Sequence, residues 1–259
     1  MREFNAILTI AFRDLTKLLR DKPRILAGLV FPVIFIGILG GSLSSNIGKS
    51  LGFDFLTFVF TGVFAQVFFQ SSAAGVISLI QDRENDFSQE LFVAPVSRHS
   101  IIFGKILGET LVSSVQIAGI LIFGLILGVP FSAKIVFLLI VAGLSASFLG
   151  GAFGVMVLSN LSTQRTMAQI FPFVLFPQIF LSGVFAPIEN FPPTLALLSK
   201  IAPLTYAVDL VRHAYYAGSP ELSKVTAFGL TTDILIVLAL FLVFLFAGTI
   251  LFVRKERNR

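Results

Sequence analysis

Six long runs of apolar residues constrain this chain more than any other feature of its sequence. Each run carries little or no charge and is long enough to cross a hydrocarbon core of roughly 30 Å as a helix. The residues that remain are too few for a sizeable soluble domain. We therefore expect a single all-α integral membrane domain over residues 1–259. The six expected spans cover residues 25–43, 55–80, 106–129, 135–160, 166–186 and 234–253.

The composition indicates that lipid is the main solvent of the chain. Hydrophobic residues make up 56% of it and charged residues 13%, and a soluble domain of 259 residues could not bury that much apolar surface. There is no cysteine, which excludes disulfides and thiolate chemistry, and two histidines are too few for a histidine metal cluster. The basic residues form no single patch, so we expect neither a metal site nor a nucleic-acid partner.

The distribution of positive charge predicts the orientation of the spans. Six crossings place both termini on one side of the membrane, and fourteen of the nineteen Lys and Arg residues lie on that side. The positive-inside rule makes that side cytoplasmic. We therefore expect a multi-pass protein with cytoplasmic N and C termini.

Residues 3–20 have the periodicity of an amphipathic helix that precedes the first span. The apolar residues that recur at helical spacing are Phe4, Leu8, Ala11, Leu15 and Leu18. The basic residues Arg13, Lys17 and Arg20 share another face. Such a helix lies in the headgroup layer with its basic side chains towards anionic lipid. It serves either as a membrane anchor alone or also as a contact for a cytoplasmic partner.

The segment 81–97 is the most polar stretch between two spans. Its acidic residues give it a net negative charge, which the membrane does not require of a cytoplasmic loop. An apolar patch at Leu91-Phe-Val93 follows, and Pro95 ends the helical pattern. From the residues alone, a docking helix and a solvated loop are equally good interpretations.

The segment 187–226 is the longest stretch expected outside the cell. Its prolines predict short helices near residues 194–201 and 205–217. All three tyrosines lie here, which is typical of an aromatic belt at the membrane surface. Asp209 is spaced to pair with Arg212 or His213 one turn further on.

Small and polar residues within the spans indicate packing more than chemistry. Ala142, Ala146, Gly150 and Gly154 form a small-residue ladder that would allow two helix backbones of this chain to approach closely. The sequence Gly48-Lys49-Ser50 lacks the preceding glycine and the strand-to-helix context of a phosphate-binding loop, so we expect no nucleotide site.

Two groups of motifs lie on opposite sides of the membrane in the expected topology. The first is Gln81-Asp-Arg-Glu through Glu90-Leu-Phe-Val-Ala-Pro95-Val-Ser-Arg98, followed by Gly104-Lys105. The second is Phe180-Leu-Ser-Gly-Val-Phe-Ala-Pro187-Ile-Glu-Asn-Phe-Pro192 and Pro203-Leu-Thr-Tyr206 with Arg212. Together they resemble the motifs of type-2 ABC exporter permeases, the membrane subunits of ABC transporters. With the order of the spans and the N-terminal amphipathic helix, the resemblance extends over essentially the whole chain.

The resemblance implies how the parts would work together. Residues 3–20 would be the connecting helix, and 81–97 would hold a cytoplasmic coupling helix seated in a groove of a separate ATPase subunit. Residues 187–226 would form short re-entrant helices that close an outer gate. Two permeases, identical or paralogous, would pair with two ATPases, which would bind ATP and magnesium. This chain would then carry no cofactor and no catalytic residue.

The same resemblance assigns roles to individual residues. The second and fifth spans of the family face the transport path. The path residues implied in this way are Gln66, Gln70, Gln169 and Phe173. Leu195 and Tyr206 would belong to the outer gate. The ATPase-docking residues would be Asp82, Arg83, Glu84, Asp86, Glu90, Leu91, Phe92 and Pro95.

The function implied is that of a permease subunit in a prokaryotic cytoplasmic membrane. It would export a small amphipathic compound such as a drug or antibiotic, driven by ATP hydrolysis in the separate subunit. Export of lipid-linked polysaccharide is the alternative within the family. A membrane-embedded enzyme or a passive channel is the alternative of another class, and the spans show no convergent polar constellation that an enzyme would need.

Overall fold

The computed structural model describes residues 2–40, 52–80, 96–159, 161 and 163–257. Within these ranges the chain is helical and contains no strand, so the all-α prediction is confirmed. The helices are α1 (Arg2–Arg20), α2 (Lys22–Phe35, followed by a π-helical turn Ile36–Gly40), α3 (Phe55–Gly75), α4 (Arg98–Ile126), α5 (Ala133–Leu158), α6 (Gln164–Leu181), α7 (Pro193–Ser199), α8 (Pro203–Tyr215), α9 (Leu222–Val225) and α10 (Leu230–Arg257).

Four helical segments among the described residues are long and apolar enough to cross a membrane. They cover 55–80, 98–126, 133–158 and 230–254, and correspond to the second, third, fourth and sixth expected spans. The bent pair α7–α8 would make a fifth if it were counted as one span. The count of six is not confirmed, because the first run forms a shorter apolar helix at 28–38 and the fifth forms α6, which contains two prolines.

Side-chain caps mark where the principal helices begin. Asp54, Ser97, Ser132 and Thr163 each accept a hydrogen bond from the backbone N–H three residues further on, at the starts of α3, α4, α5 and α6. Such a bond satisfies one of the four amide groups that a helix start leaves without a partner. Short polar residues before each apolar run therefore set the helix boundaries.

The centre of the molecule is α3, which packs against α5 through the predicted small-residue ladder. A methyl group added at Gly150 would collide with the backbone carbonyl of Phe69, and one added at Gly154 would lie 2.6 Å from the carbonyl oxygen of Ala73. Ser147 Oγ donates to the carbonyl of Phe68 across the same contact at 3.3 Å. The ladder is therefore an intramolecular packing surface, as predicted.

Helix α1 forms over the predicted amphipathic segment and carries two apolar faces rather than one. Ala11 and Leu18 are buried, whereas Phe4, Leu8 and Phe12 are exposed. The expected single apolar stripe, which joined Phe4 and Leu8 to Ala11 and Leu18, is therefore divided between protein and surroundings. One face packs on α4, and the other is free to enter lipid.

The segment 187–226 contains the two short helices expected there. Helices α7 and α8 lie within two residues of the predicted bounds and meet at an angle of 82°. The prediction of an aromatic belt is wrong for this segment. Tyr206, Tyr215 and Tyr216 are all buried, because α8 packs against α3, α5 and α10 instead of facing lipid.

Candidate functional site

Two glycines of α4 allow α1 to lie directly against it. A methyl group at Gly104 would lie 3.1 Å from Cα of Ile7, and one at Gly108 would lie 3.1 Å from Cα of Ala11. Contacts this short leave no room for a larger side chain without a shift of the helices. The Gly104-Lys105 motif therefore has a structural role, since it provides the groove in which α1 rests.

A buried ionic network joins the same two helices. Lys105 Nζ on α4 lies 2.7 Å from Asp14 Oδ2 on α1 and 3.6 Å from Glu109 Oε1 one turn further on. Arg13 contacts the other oxygen of Asp14 at 3.2 Å. The charged groups of Lys105, Asp14 and Glu109 are almost completely buried, so each depends on its partners for stabilisation. The α1–α4 contact is thus held by charge as well as by close packing.

This network reaches the residues on both sides of segment 81–95. On the N-terminal side, Ser78 Oγ lies 3.5 Å from Glu109 Oε1, and Glu109 covers Gly75 so closely that a methyl group there would collide with it. On the C-terminal side, both carboxylate oxygens of Glu3 accept from the Ser97 N–H, at 3.0 and 3.1 Å. We call Glu3, Asp14, Lys105, Glu109 and their contacts to Ser78 and Ser97 the α1–α4 frame.

The hydrogen bonds that Glu3 accepts change the pKa of its carboxylate. Its contacts with the Ser100 side chain and then with the Ser97 backbone lower its pKa below the ordinary value. Glu3 therefore stays ionised and accepts hydrogen bonds at the start of α4.

The residues predicted to dock an ATPase lie outside the described residues: Asp82, Arg83, Glu84, Asp86, Glu90, Leu91, Phe92 and Pro95.

The four predicted path residues fall into two places. Gln66 Nε2 donates to Gln70 Oε1 on α3 at 3.4 Å. The side-chain oxygen of Gln66, Oε1, is buried without a hydrogen bond among the described residues. Gln169 and Phe173 lie on an exposed face of α6, where the ring of Phe173 is 81% exposed. Helix α6 packs mainly against α7 and α8, so one chain does not bring these four side chains together.

The two predicted gate residues lie on either side of the bend between α7 and α8. Leu195 is exposed on α7. Tyr206 is buried on α8, where its hydroxyl donates to the carbonyl of Lys200 at 2.6 Å and its ring stacks on Phe228 with centroids 5.3 Å apart. Tyr206 thereby holds the bend closed against the loop that precedes α10.

Arg212 is a buried junction at the α8 end of the bundle. Its guanidinium donates to the carbonyls of Gly183 at 2.7 Å and Val225 at 3.1 Å, and it lies 3.8 Å above the ring of Phe58. Gly183 has a φ of +74°, so the turn after α6 needs glycine as well as this contact. Arg212 therefore joins four separate segments, which sequence spacing could not reveal because their residues are distant in the chain.

The predicted pairing of Asp209 along its own helix is wrong. Asp209 Oδ2 accepts from the backbone N–H groups of Ala227 at 2.7 Å and Phe228 at 2.9 Å. His213 Nε2 lies 3.3 Å from Asp233 on α10. The loop after α9 folds back over α8 and offers backbone donors that are closer to Asp209 than the side chains one turn away.

The structure has a multi-pass helical bundle, an amphipathic helix packed on α4 beside segment 81–95, and a bent helix pair at the opposite end. These parts agree with the class of membrane protein that the sequence motifs resemble, the ABC-type permeases. A family model for the ABC-2 type transporter matches residues 5–216, and the chain belongs to that family.

Individual relatives agree with this assignment. The chain is 28% identical to the transport permease ycf38 of Cyanophora paradoxa over 82% of this chain and 75% of that protein. It is 29% identical to the inner membrane transport permease YadH of Escherichia coli (strain K12), over 78% of this chain and 80% of YadH. It is also 29% identical to YbhR of the same strain, named as a multidrug ABC transporter permease, over 54% of this chain and 38% of YbhR.

The chain is therefore a transport permease of the ABC-2 family and a multi-pass membrane protein. Its relatives are named as permeases, which is consistent with a membrane subunit that is not itself an enzyme. Members of this family typically work with ATPase subunits.

Proposed function

We propose that this chain is the membrane subunit of an ABC exporter that moves a small amphipathic compound outward, driven by ATP hydrolysis in a separate subunit. The ATPase would bind ATP and magnesium and would dock on segment 81–97. The termini and this segment would lie in the cytoplasm of a prokaryotic cell, with the α8 end at the outer surface of its inner membrane.

The α1–α4 frame is the observation that carries this proposal. It holds the residues on both sides of segment 81–95 against one helix, through Glu3 at Ser97 and through Asp14, Lys105 and Glu109 at Ser78. A force applied to the segment would therefore move α1 and α4 as one body instead of bending a loose loop. Such an anchorage suits a segment that receives mechanical input from a soluble partner.

The docking role is tested by reversing one charge in segment 81–97. Glu90→Arg is expected to abolish co-purification of the ATPase and ATP-driven export, because the introduced arginine would meet a like charge in the basic groove that an acidic segment requires of its partner. Glu189→Arg, at an exposed glutamate of the α8 end, is the matched control and should leave co-purification of the ATPase unchanged. Full association and export by Glu90→Arg would contradict the docking role.

The exposed face of α6 supports pairing with a second permease, identical or paralogous. Phe173, Phe176 and Phe180 all project from this face. Across a symmetric pair, Gln169 and Phe173 of one copy would face α3 of the other, where Gln66 and Gln70 lie. A transport path would then be lined by both chains, with Leu195 and Tyr206 at its outer gate. Because one chain does not bring these side chains together, cysteines introduced at positions 70 and 173 should crosslink only between two copies and trap a dimer.

The chain contains no cysteine, so single introduced cysteines can also test the proposed orientation. Single cysteines introduced at position 9, an exposed polar position of α1, and at position 195 should differ in their reaction with a membrane-impermeant thiol reagent added to intact cells. Position 195 is expected to react and position 9 to remain unlabelled, because the positive charge of the chain is concentrated on the α1 side. The reverse pattern would overturn the proposed direction.

The relative named as a multidrug permease supports an amphipathic drug as the substrate class. This substrate class can be tested directly by measuring ATP hydrolysis. Purified permease with its ATPase, reconstituted in vesicles, should hydrolyse ATP faster when amphipathic drugs are added. Stimulation by lipid-linked polysaccharide instead would favour the alternative cargo. Flux that proceeds without ATP would indicate a passive channel, and turnover of a compound without movement would indicate a membrane-embedded enzyme.

A further inference from the structure

A histidine and a buried carboxylate join α8 to the first turn of α10. His213 Nε2 lies 3.0 Å from the carbonyl oxygen of Phe228 and 3.3 Å from Oδ2 of Asp233. Because a carbonyl oxygen can only accept, Nε2 carries a proton in the neutral ring as well as in the charged one. A further proton is therefore taken up at Nδ1, and it changes the charge of the ring without removing the bond to Phe228.

Asp233 depends on the charge of that ring. Its side chain is completely buried, and within the described part of the chain neither of its carboxylate oxygens makes a hydrogen bond. It lies in the first turn of α10, where the helix dipole favours a negative charge. A buried carboxylate without hydrogen bonds is costly unless a positive charge lies beside it, and His213 supplies that charge only when it is protonated.

The other ionisable groups on α8 do not replace the charge of His213. Asp209 lies one turn before it, and Tyr206 faces both Asp209 and Asp233, so neither group adjacent to the pair is cationic. The guanidinium of Arg212 donates instead to two loop carbonyls on another side of the helix.

The helices packed against α8 supply no second cation to Asp233. They are α3, α5, α6, α9 and α10, and α3 contains no charged residue. Lys134 and Arg165 are exposed at the starts of α5 and α6, and Lys224 on α9 donates to the carbonyl of Gly52. The basic residues of α10 follow at its other end, near Arg254.

We propose that His213 and Asp233 form a proton-dependent latch between α8 and α10. With the ring protonated, the ion pair holds the loop 226–229 and the first turn of α10 on α8. With the ring neutral, Asp233 has no partner, and the first turn of α10 moves away from α8 so that water can reach the carboxylate. Imidazole ionises at a pH of about 6.5, so the latch is closed in mild acid and released in mild alkali.

The latch does not rest on the proposed function. Helix α8 also carries the bend to α7, so under that function the latch would act on the outer gate. The experiments below measure the contact between α8 and α10 itself.

Three variants separate the charge of the ring from its packing. His213→Gln keeps a side-chain N–H donor but does not titrate, and Asp233→Asn removes the pair from the other side. The chain has two histidines, so His99→Gln, at the exposed histidine of α4, is the matched control. The full-length chains are reconstituted in vesicles, and thermal unfolding is measured at about pH 5.5 and about pH 8.5, on either side of the ordinary imidazole value.

The stability that the charged ring contributes is present below that value and is lost as the pH rises. In acid, His213→Gln and Asp233→Asn should each unfold about 2–4 °C below wild type. The double variant should lose no more than either single variant, because the two residues act through one contact. In alkali, His213→Gln should match wild type, and Asp233→Asn should match or exceed it because it removes an unpaired buried charge. His99→Gln should follow wild type throughout.

A cysteine at position 225 reports whether the contact opens. Val225 is buried immediately before the loop 226–229, and the chain contains no other thiol. Labelling of Val225→Cys is compared with and without His213→Gln at the same pH, so the intrinsic reactivity of the thiol cancels. The added substitution should raise the labelling rate about fivefold in acid and leave it unchanged in alkali.

Four results would overturn this proposal. Unfolding like wild type at both pH values would show that the pair holds nothing. Equal losses in acid and alkali would show that His213 acts by packing alone. Additive losses in the double variant would show that the two side chains do not act through each other. A pH-dependent loss of stability without faster labelling would show a static ion pair. None of these measurements involves the ATPase or export, so the latch fails separately from the proposed function.

Discussion

Two buried polar clusters lie at opposite ends of the bundle, and their buried charges are stabilised by different kinds of partner. The α1–α4 frame pairs side-chain charges with each other, with Lys105 between Asp14 and Glu109. At the α8 end, Arg212 and Asp209 bind backbone carbonyls and N–H groups of loops. The first arrangement joins helices, and the second secures turns. Under the proposed function, the frame would transmit movement of whole helices, whereas the α8 end would maintain the shape of the outer gate.

The largest expected effect comes from removal of the central cation of the frame. Lys105→Met would remove the buried cation that lies between the carboxylates of Asp14 and Glu109, which costs about 3–5 kcal/mol of stability. Thermal unfolding in detergent or lipid should show this loss. Lys134→Met removes an exposed lysine at the start of α5 and should change little. Equal stability of the two variants would contradict the role of the frame.

A smaller loss is expected at the opposite cluster. Arg212→Met would leave the carbonyls of Gly183 and Val225 without their donor, at about 1–3 kcal/mol for unsatisfied buried groups. Unfolding measurements, with exposed Arg165→Met as control, should place this variant between wild type and Lys105→Met. A larger loss at Arg212 than at Lys105 would reverse the comparison between the two ends.

Glycine substitutions compare backbone packing at the two ends. Gly62→Ala would place a methyl group 2.6 Å from the carbonyl oxygen of Val184 and should cost about 1–3 kcal/mol by overpacking. Gly108→Ala at the frame meets its nearest atoms at 3.1 Å and should cost less. Gly229→Ala, with open space around it, is the control. Equal unfolding temperatures for all three would show that neither end is closely packed.

The smallest expected effect depends on pH. The pKa of Glu3 is lowered in the folded protein. The contribution of its carboxylate to folding stability is therefore fully present above the ordinary pKa of 4.5 and is lost as the pH falls through the lowered pKa. Glu3→Gln should therefore lower the unfolding temperature slightly at neutral pH, and the difference from wild type should vanish in strong acid. Glu189→Gln, measured in parallel, should show no such convergence. A difference that persists in acid would contradict the role of the Glu3 carboxylate.

Much of the helical layout was predictable because local patterns determine it. The apolar runs located the four spans, the prolines located α7 and α8, and the amphipathic period located α1. The ladder on α5 correctly indicated close packing within the chain. The first and fifth runs were harder to interpret, because hydropathy alone does not say whether a run with prolines or glutamines forms a full crossing.

The site was less predictable, because its contacts join residues far apart in the chain. Asp14 and Lys105 are separated by 91 positions, and Arg212 and Gly183 by 29. The motifs indicated that Gly104-Lys105 and Arg212 matter, but not what they contact. The pairing predicted for Asp209 was wrong, since a helical spacing rule cannot anticipate a loop that folds back.

The sequence by itself determined that this chain lies in a membrane, along which apolar runs four of its spans lie, and which family it belongs to. These properties depend on the transfer of apolar residues from water and on short local motifs, so a linear reading is sufficient. Only the tertiary structure decided that α1 rests on α4, that charges pair across that contact, and that three tyrosines are buried. Those outcomes depend on which surfaces meet, because a buried charge or aromatic ring is stabilised by its neighbours in space.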